Sequence, residues 1–512
     1  MSLASHLDTR TRQWFLAAIL VLAAALRFWR LGEVALIGDE SYYWLWSERL
    51  ALSYYDNPAG VALMVRLSTW IGGQGEAGIR WLNALLGVGA VFLVYQVGAR
   101  LLSEQAALLA AALLAIGAPY LIVSRFAYPD ALQLALLLLN ILALLPFLLP
   151  ERQQSPSAIP TWRFWAVALS TAALLNSKYN AYLYALAMAT FLALCRPSLL
   201  RDRRTWWAAG MALLGLLPAV AWNAAYGWAS YRWQFAHFTQ GTLHRSTLLR
   251  SAWHAARYMT FPLTLVALVG VTQMRGARRQ ALYIPALVLV LPIVLSPADS
   301  PRNLVNGSAL LLLLGSDALC RWTTGLQKPT STLAPLLPCV LALLVVFSTT
   351  LYGLGTLLET LHATTWPHSP VATALRQDGL GWRHMPDLEA EPGALIFAVD
   401  YSIASQLRYY TGLPVQTSWG QYRLWGIPEL ERPVGANDAA VILALTYVEP
   451  DLITKRLEDA FSETAGPAPL LLREGGETKP LNVWTARGRQ VDADTFLHML
   501  DVLDLAEASQ AD

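Results

Sequence analysis

Apolar stretches long enough to cross a membrane recur along the first 350 residues of this 512-residue chain. A membrane-spanning helix needs about 20 mostly apolar residues. Only 14% of the residues are charged, against about 25% in soluble proteins. The sequence therefore predicts a mainly α, polytopic helical membrane protein with about 11–13 transmembrane helices. Eleven candidate spans cover residues 13–28, 79–99, 104–121, 130–149, 164–175, 179–195, 205–224, 253–273, 280–295, 305–319 and 333–351.

The positions of Lys and Arg predict the orientation, because cytoplasmic loops are enriched in both. With the N-terminus inside, alternate loops carry basic residues near positions 100, 152–163, 196–204, 275–279 and 321–328. An odd number of spans then places the segment after residue 360 outside. Arg27 and Arg30 follow the first span without a cleavage pattern, so this span is not predicted to be a removed signal peptide.

The chain divides into a transmembrane domain over residues 1–360 and a soluble α/β domain over residues 366–512. The second segment is acidic, with 21 Asp and Glu against 11 Lys and Arg. Strands are predicted at 393–400, 414–418, 438–448, 469–474 and 481–487, and helices at 401–412 and 450–464. This alternation favours a small parallel or mixed sheet. No phosphate loop, metal-ligand spacing or catalytic triad is visible in it.

The first long outer loop, residues 30–78, contains the string SYYWLWSERLAL. Its aromatic and aliphatic residues recur near helical spacing. This pattern is typical of a helix that lies in the membrane interface.

Asp39 and Glu40 follow the first span directly, within GDESYYWLW. Placing an ionisable side chain in or next to a membrane costs free energy, and such residues often have a functional role. A carboxylate here could act as a general base or hold a metal. The alternative is structural, because Asp39 precedes a helical pattern and could cap its free N–H groups.

Asp56 lies farther along the same loop, in YYDNPAG. Asp-Asn-Pro is also ordinary turn chemistry, which favours a structural role. His237 lies in the second long outer loop, among aromatic residues, where packing is the common role. Because both loops face the same side, the two residues could meet at one divalent metal, although no local spacing supports this.

Asp130 and Lys178 are predicted at the outer ends of later spans. Asp130 could serve the site or simply favour the start of its helix through the helix dipole. Lys178 is the first lysine of the chain, with none after it until Lys328. A lone ammonium among apolar helices suggests an anionic partner such as a phosphate, or else snorkelling towards lipid headgroups.

Taken together, these positions resemble a known family. The chain is similar to bacterial members of the dolichyl-phosphate-mannose protein mannosyltransferase superfamily, which are C-type glycosyltransferases related to the lipid A aminoarabinose transferase. The resemblance is carried, in order, by GDESYYWLWSERLALSYYDNPAG, SRFAYPDALQLALLLLN, LLNSKYNAYLYALAM and WNAAYGWASYRWQFAHFTQG. The string DYSIASQLRYYTGLPVQTSWGQYRLWGIPEL resembles the soluble C-terminal segment of one bacterial subgroup.

The resemblance implies an enzyme in the bacterial inner membrane with the C-type glycosyltransferase fold. It would transfer a sugar from a polyprenyl-phosphate donor to a lipid, glycan or protein acceptor on the outer face. By this resemblance Asp39 is the catalytic base and Glu40 its companion in the acidic pair. Lys178 and Tyr54 would contact the donor phosphate, and Asp130 would be a second site acid.

The resemblance also implies a divalent cation, Mg, Mn or Zn, held by Asp56 and His237. Two departures from the family bear on the site. Asn57 stands where similar proteins often carry Lys or His, so Lys178 or Arg125 would have to supply the missing positive charge. Asp56 stands where the aminoarabinose enzymes have a glutamate.

One base without an enzyme nucleophile implies direct attack and inversion at the anomeric carbon. A non-catalytic transporter or flippase for lipid-linked sugars is the alternative. It would explain a cationic lipid site but not a carboxylate pair in a long outer loop. A scaffold or receptor would leave Lys178 and the ordered acids unexplained, and a nucleic-acid partner is excluded by the lack of a basic face.

Overall fold

A computed structural model of the chain describes residues 8–148, 159–239, 245–273, 275–295, 301–325, 336–361, 370–386, 388, 394–417, 439–445, 450–474 and 477–491. The first part is helical, with α1 Thr9–Phe28, α2 Gly38–Glu48, α3 Gly60–Gly72, α4 Glu76–Leu101, α5 Glu104–Ile116, α6 Ala118–Arg125, α7 Pro129–Leu148, α8 Thr161–Leu175 and α9 Ala181–Cys195. It continues with α10 Arg203–Leu214, α11 Leu217–Ala225, α12 Ala229–Thr239, α13 Arg245–Met259, α14 Phe261–Val271, α15 Ala277–Leu295, α16 Leu304–Gly325, α17 Leu336–Thr360 and α18 Pro370–Gly379.

As far as the structure describes them, all eleven predicted spans are helical, and the predicted helical membrane architecture is confirmed. Within the described residues, five helices are long and apolar enough to cross a membrane, and up to eight if each bent pair is one span. The total of eleven or more spans, and their orientation, stay predictions.

Three predicted spans are not straight helices. The third is broken between α5 and α6 by a bend of 60°, and the seventh between α10 and α11 by 40°. The predicted span 253–273 is wrong as one helix, because α13 and α14 meet at 114°. Thr260 between them has a φ of +65°, outside the helical region, and Pro262 follows in the first turn of α14. A proline is well suited to begin a helix but cannot continue one.

The C-terminal segment forms a mixed sheet, as predicted. Its elements are β1 Leu395–Ala398, α19 Tyr401–Thr411, β2 Val415–Thr417, β3 Ala440–Leu445, α20 Pro450–Ala460, β4 Phe461–Glu474 and β5 Glu477–Arg489. The strand order is β2-β1-β3-β5-β4. β1 is parallel to β2 and β3, whereas β5 is antiparallel to β3 and β4.

Local sequence signals set the ends of α19. Asp400 caps its first turn by accepting a hydrogen bond from the Ser402 N–H, and Gly412 ends it at a φ of +70°. Both boundaries follow the predicted pattern. The predicted helix 450–464 is too long, because the chain enters β4 at Phe461 and pairs with β5 there.

The aromatic residues of α2 are buried inside the protein. Tyr42, Tyr43 and Trp46 are each at most 3% exposed. They pack in a cluster with the loop after α2, with α3, and with tyrosines of α19. The regularly spaced aromatic residues of α2 therefore pack against both the helical part and the C-terminal domain. That α2 lies in the membrane interface stays a prediction.

Candidate active site

A cavity of about 530 Å³ is lined by residues of the helical part and by Tyr401 of the C-terminal domain. Its polar wall comes from α2, the loop after it, the turn before α9 and the 3₁₀ turn Pro301–Asn303. Its apolar wall comes from α15, through Val288, Leu289, Pro292 and Ile293. A polar site with one apolar side suits a ligand that has a charged head and a hydrocarbon chain.

Asp39 stands in the first turn of α2 and lines this cavity. Its Oδ2 accepts a hydrogen bond from Nη1 of Arg302 at 2.7 Å. Its Oδ1 accepts one from the hydroxyl of Tyr401 at 3.1 Å. The side chain is 24% exposed, so the carboxylate is held in place and can still be reached.

A second ion pair, between Lys178 and Asp130, lies beside the pair of Arg302 and Asp39. Lys178 Nζ donates to Asp130 Oδ1 at 2.7 Å and also to Asn303 Oδ1. Asp130 is completely buried at the start of α7. Its Oδ2 lies 3.5 Å from Arg302 Nε, and neither atom has a hydrogen-bond partner in the described part of the chain. The two pairs therefore form one cluster with Arg302 at its centre.

Arg302 was not predicted from the sequence. Its guanidinium lies 4.1 Å above the ring of Tyr128, which adds a cation–π contact to its two ion pairs. It stands in the turn between the ninth and tenth predicted spans. Most basic residues of the chain fall in predicted cytoplasmic loops, whereas Arg302 falls in a predicted outer loop. This unusual position is the one sequence feature that could have marked Arg302 as a site residue.

Glu40 faces away from the cavity. It is completely buried and pairs with Arg80, whose Nη2 lies 2.6 Å from Oε2 and whose Nε lies 2.8 Å from Oε1. Oε1 also accepts the N–H of Ala127 at 2.8 Å. These contacts tie α2 to α4 and to the loop before α7, so Glu40 is placed to support the site rather than to touch a substrate. A catalytic role for Glu40 stays a prediction without a supporting contact.

Tyr54 and Arg125 also lie outside the cavity lining. The hydroxyl of Tyr54 is 2.9 Å from the carbonyl oxygens of Trp46 and Arg49, and the ring stacks on Trp46. Burial raises the pKa of Tyr54 to about 12, which keeps the hydroxyl protonated as a donor to these carbonyls. Nη1 of Arg125 donates to three carbonyl oxygens at the end of α1. Both residues fix the backbone around the site in this structure, and their predicted phosphate contacts stay untested.

Asp56 and Asn57 line the same cavity as Asp39. They lie in a bend where the Tyr54 N–H donates to the Asn57 carbonyl at 3.1 Å and Ser53 bridges to Pro58, an arrangement that reverses the chain without the usual β-turn hydrogen bond. Gln234 from α12 donates to the Asp56 carbonyl at 3.2 Å. His237 belongs to the same helix, but its side chain lies outside the described residues. Among the side chains described, no group of three His, Cys, Asp or Glu could hold a metal.

Tyr43 and Tyr401 add two phenols to the site. Burial, reinforced by the charge of Asp39, raises the pKa of Tyr43 well above its usual value, so this hydroxyl stays neutral. Tyr401 reaches the cavity from α19. Nothing in the sequence around Tyr401 predicts this, because the contact depends on how the C-terminal domain docks.

The fold and part of the sequence match known proteins. Residues 56–222 match the family model described as dolichyl-phosphate-mannose-protein mannosyltransferase. The crystal structure of ArnT from Cupriavidus metallidurans in the apo state superposes with a TM-score of 0.56 at 15% identity, covering 96% of this chain and 98% of that one. The chain has the fold of ArnT. The C-type glycosyltransferase fold predicted from the sequence is thereby confirmed, and the family model matches the part of the chain that carries Asp56, Asp130 and Lys178.

Two further structures share this ArnT-like fold. ArnT from the same organism bound to undecaprenyl phosphate gives a TM-score of 0.58 at 14% identity, covering 92% of this chain and 97% of that one. The oligosaccharyltransferase of Archaeoglobus fulgidus in the apo form gives 0.56 at 12% identity, covering 85% and 70%. A comparison with curated protein sequences found no match.

Proposed function

We propose that this protein is a membrane glycosyltransferase that uses a polyprenyl-phosphate-linked sugar. The observation that carries the proposal is one cavity lined by the Asp39 carboxylate, by Lys178 and Arg302, and by an apolar wall from α15. Its fold is also that of a protein solved with undecaprenyl phosphate. A carboxylate, two cations and an apolar wall are the groups that such a donor and its acceptor require.

In the proposed reaction, Asp39 takes the proton of an acceptor hydroxyl as the hydroxyl oxygen attacks the anomeric carbon. The bond between that carbon and the donor phosphate breaks, and its electron pair leaves with the polyprenyl phosphate. Lys178 and Arg302 stabilise the charge that develops on this leaving group. Attack from the face opposite the phosphate inverts the anomeric configuration.

Arg302 is proposed to supply the positive charge that Asn57 lacks. A guanidinium has five N–H donors, so it can hold Asp39 and still bind a phosphate. Arg302 lines the cavity, whereas Arg125 is bound to α1 carbonyls outside the lining. Lys178 and Arg302 are therefore the two cations to which we assign the donor phosphate.

We propose that a divalent cation of the magnesium type takes part in the reaction. Mg²⁺ is commonly held by one or two carboxylates together with substrate phosphates and water. Asp56 supplies one carboxylate at the cavity. Among the described residues, Asp39 and Asp56 at the cavity and Asp130 behind it outnumber the cations Lys178 and Arg302 before an anionic donor binds. A cation held by Asp56, with His237 as the second proposed ligand, would supply further positive charge at the donor phosphate.

The direct test supplies purified protein with a panel of synthetic polyprenyl-phosphate sugars and with lipid, glycan and peptide acceptors. Mass spectrometry is expected to find release of polyprenyl phosphate together with a glycosylated acceptor, and NMR is expected to show the inverted linkage. If no donor is consumed while labelled donor crosses the bilayer of proteoliposomes, the protein is a transporter and this proposal is wrong.

Metal removal gives a second prediction. EDTA is expected to lower transfer by roughly 100-fold, because the cation offsets the leaving-group charge, and Mg²⁺ or Mn²⁺ should restore it. Asp56→Ala is expected to cause a similar loss and to make the remaining activity insensitive to EDTA. The matched control is Asp202→Ala, which removes an acid that caps α10 outside the cavity lining. Full activity in EDTA would remove the metal from the proposal.

A further inference from the structure

The C-terminal domain meets the helix that carries Asp39 at very short range. Helix α19 packs along α2. A Cβ atom added to Gly38 would lie 2.3 Å from Cβ of Ser402, which is too close for any side chain. The glycine therefore allows the two helices to approach closely at the residue directly before Asp39.

The chain just before Asp39 is also bound by groups from the C-terminal part. The Leu36 N–H donates to the hydroxyl of Tyr410 at 2.6 Å, and the Leu36 carbonyl accepts from Gln406 Nε2 at 2.9 Å. The Gly38 N–H donates to Asp378 Oδ2 at 2.9 Å. An acceptor at a helix N-terminus satisfies an N–H group that has no partner within the helix. The start of α2 is thus held by residues more than 300 positions away.

Tyr401 extends this contact to the carboxylate itself. Its hydroxyl donates to Asp39 Oδ1, and its ring centroid lies 4.8 Å from that of Tyr42. Arg302 binds the other oxygen of the same carboxylate. We propose that Tyr401 is a positioning residue, through which the C-terminal domain orients Asp39 and keeps it ionised for proton abstraction. This proposal rests on the proposed function, in which Asp39 is the base.

The physical reason lies in what the hydroxyl does to the carboxylate. A hydrogen bond donated to a carboxylate favours its charged form and fixes its rotamer. The Asp39 side chain remains 24% exposed with these contacts in place, so an acceptor hydroxyl can approach it from the cavity. Because Tyr401 belongs to α19, a substrate-competent carboxylate then requires a docked C-terminal domain.

Tyr401→Phe removes the hydroxyl and keeps the ring against Tyr42. We expect kcat to fall about tenfold with the KM for the donor unchanged, since one hydrogen bond to a charged group is lost. The acid limb of the kcat/KM profile should move to higher pH by about one unit, because Asp39 then binds a proton more readily. A variant that only loosened the domain would not move this limb.

Tyr409→Phe is the matched control on the same helix. Its hydroxyl donates to the Gln74 carbonyl at 2.8 Å, at the same interface but away from Asp39. We expect this variant to keep the wild-type kcat and pH profile. Equal losses in both variants without a pH shift, or a wild-type profile for Tyr401→Phe, would overturn the positioning role. Full activity of Asp39→Asn would instead overturn the proposed function.

Discussion

Asp39→Asn is expected to lower sugar transfer by roughly 10²–10⁴-fold, because an amide cannot accept the acceptor's proton. Asparagine has nearly the same size and keeps an oxygen that can face Arg302 or Tyr401. The protein should therefore still insert, purify and bind the donor. The measurement is single-turnover transfer with saturating donor, together with donor binding by a retention assay.

Glu48→Gln provides the control for this experiment. Glu48 is at the other end of α2, where it pairs with Arg66 at the surface at 3.1 Å. Removing its charge changes the same helix without touching the cavity, and exposed pairs contribute little to stability. We expect wild-type transfer from it. Transfer by Asp39→Asn within tenfold of the wild type would exclude Asp39 as the base.

Lys178→Met is expected to reduce transfer by at least roughly 100-fold and to raise the KM for the donor, because one of two phosphate-binding cations is lost. It also leaves the buried Asp130 without its closest partner, and an uncompensated buried charge is strongly destabilising. In the single variant, a loss of donor binding therefore cannot be distinguished from a loss of stability. Expression level, melting temperature and transfer should be measured together.

The double variant Lys178→Met, Asp130→Asn separates the two effects. It removes the ammonium and the carboxylate of the pair at once, so folding should recover towards the wild type. If Lys178 binds the donor phosphate, transfer stays low although the protein is stable. Recovery of transfer together with stability would show that Lys178 only balances Asp130.

The sequence is informative about helices and about single residues with unusual chemistry. The predicted spans correspond to helices because apolar runs of this length have few other structures open to them. Asp39, Asp56 and Lys178 were selected as charges in an apolar chain, and the structure places all three at one cavity. Asp130, selected on the same ground, is joined to it through Lys178 and Arg302.

Asp39 and Glu40 show that choosing charged residues from the sequence does not predict which of them face the cavity. The two acids are adjacent in sequence, but consecutive residues of a helix point about 100° apart. Asp39 therefore faces the cavity while Glu40 faces Arg80 in the interior. The direction of each could not be derived before the neighbours of α2 were known.

Tyr54, Arg125 and Tyr401 show a second limit, which is the effect of distant chain segments. Tyr54 and Arg125 bind backbone carbonyl oxygens instead of lining the cavity, and those carbonyls are set by how helices end and loops turn. Tyr401 reaches Asp39 across 362 positions. No local pattern encodes a contact of this kind.

That separation has a consequence for the biosynthesis of the protein. A ribosome makes Asp39 early, whereas Tyr401, Gln406 and Tyr410 emerge only with the last quarter of the chain. A nascent chain can thus insert its early helices before the C-terminal groups that bind the start of α2 and Asp39 have been made. The site is complete only after the C-terminal domain has been translated and has folded against α2. A chain truncated before α19 is therefore expected to insert into the membrane but to transfer no sugar.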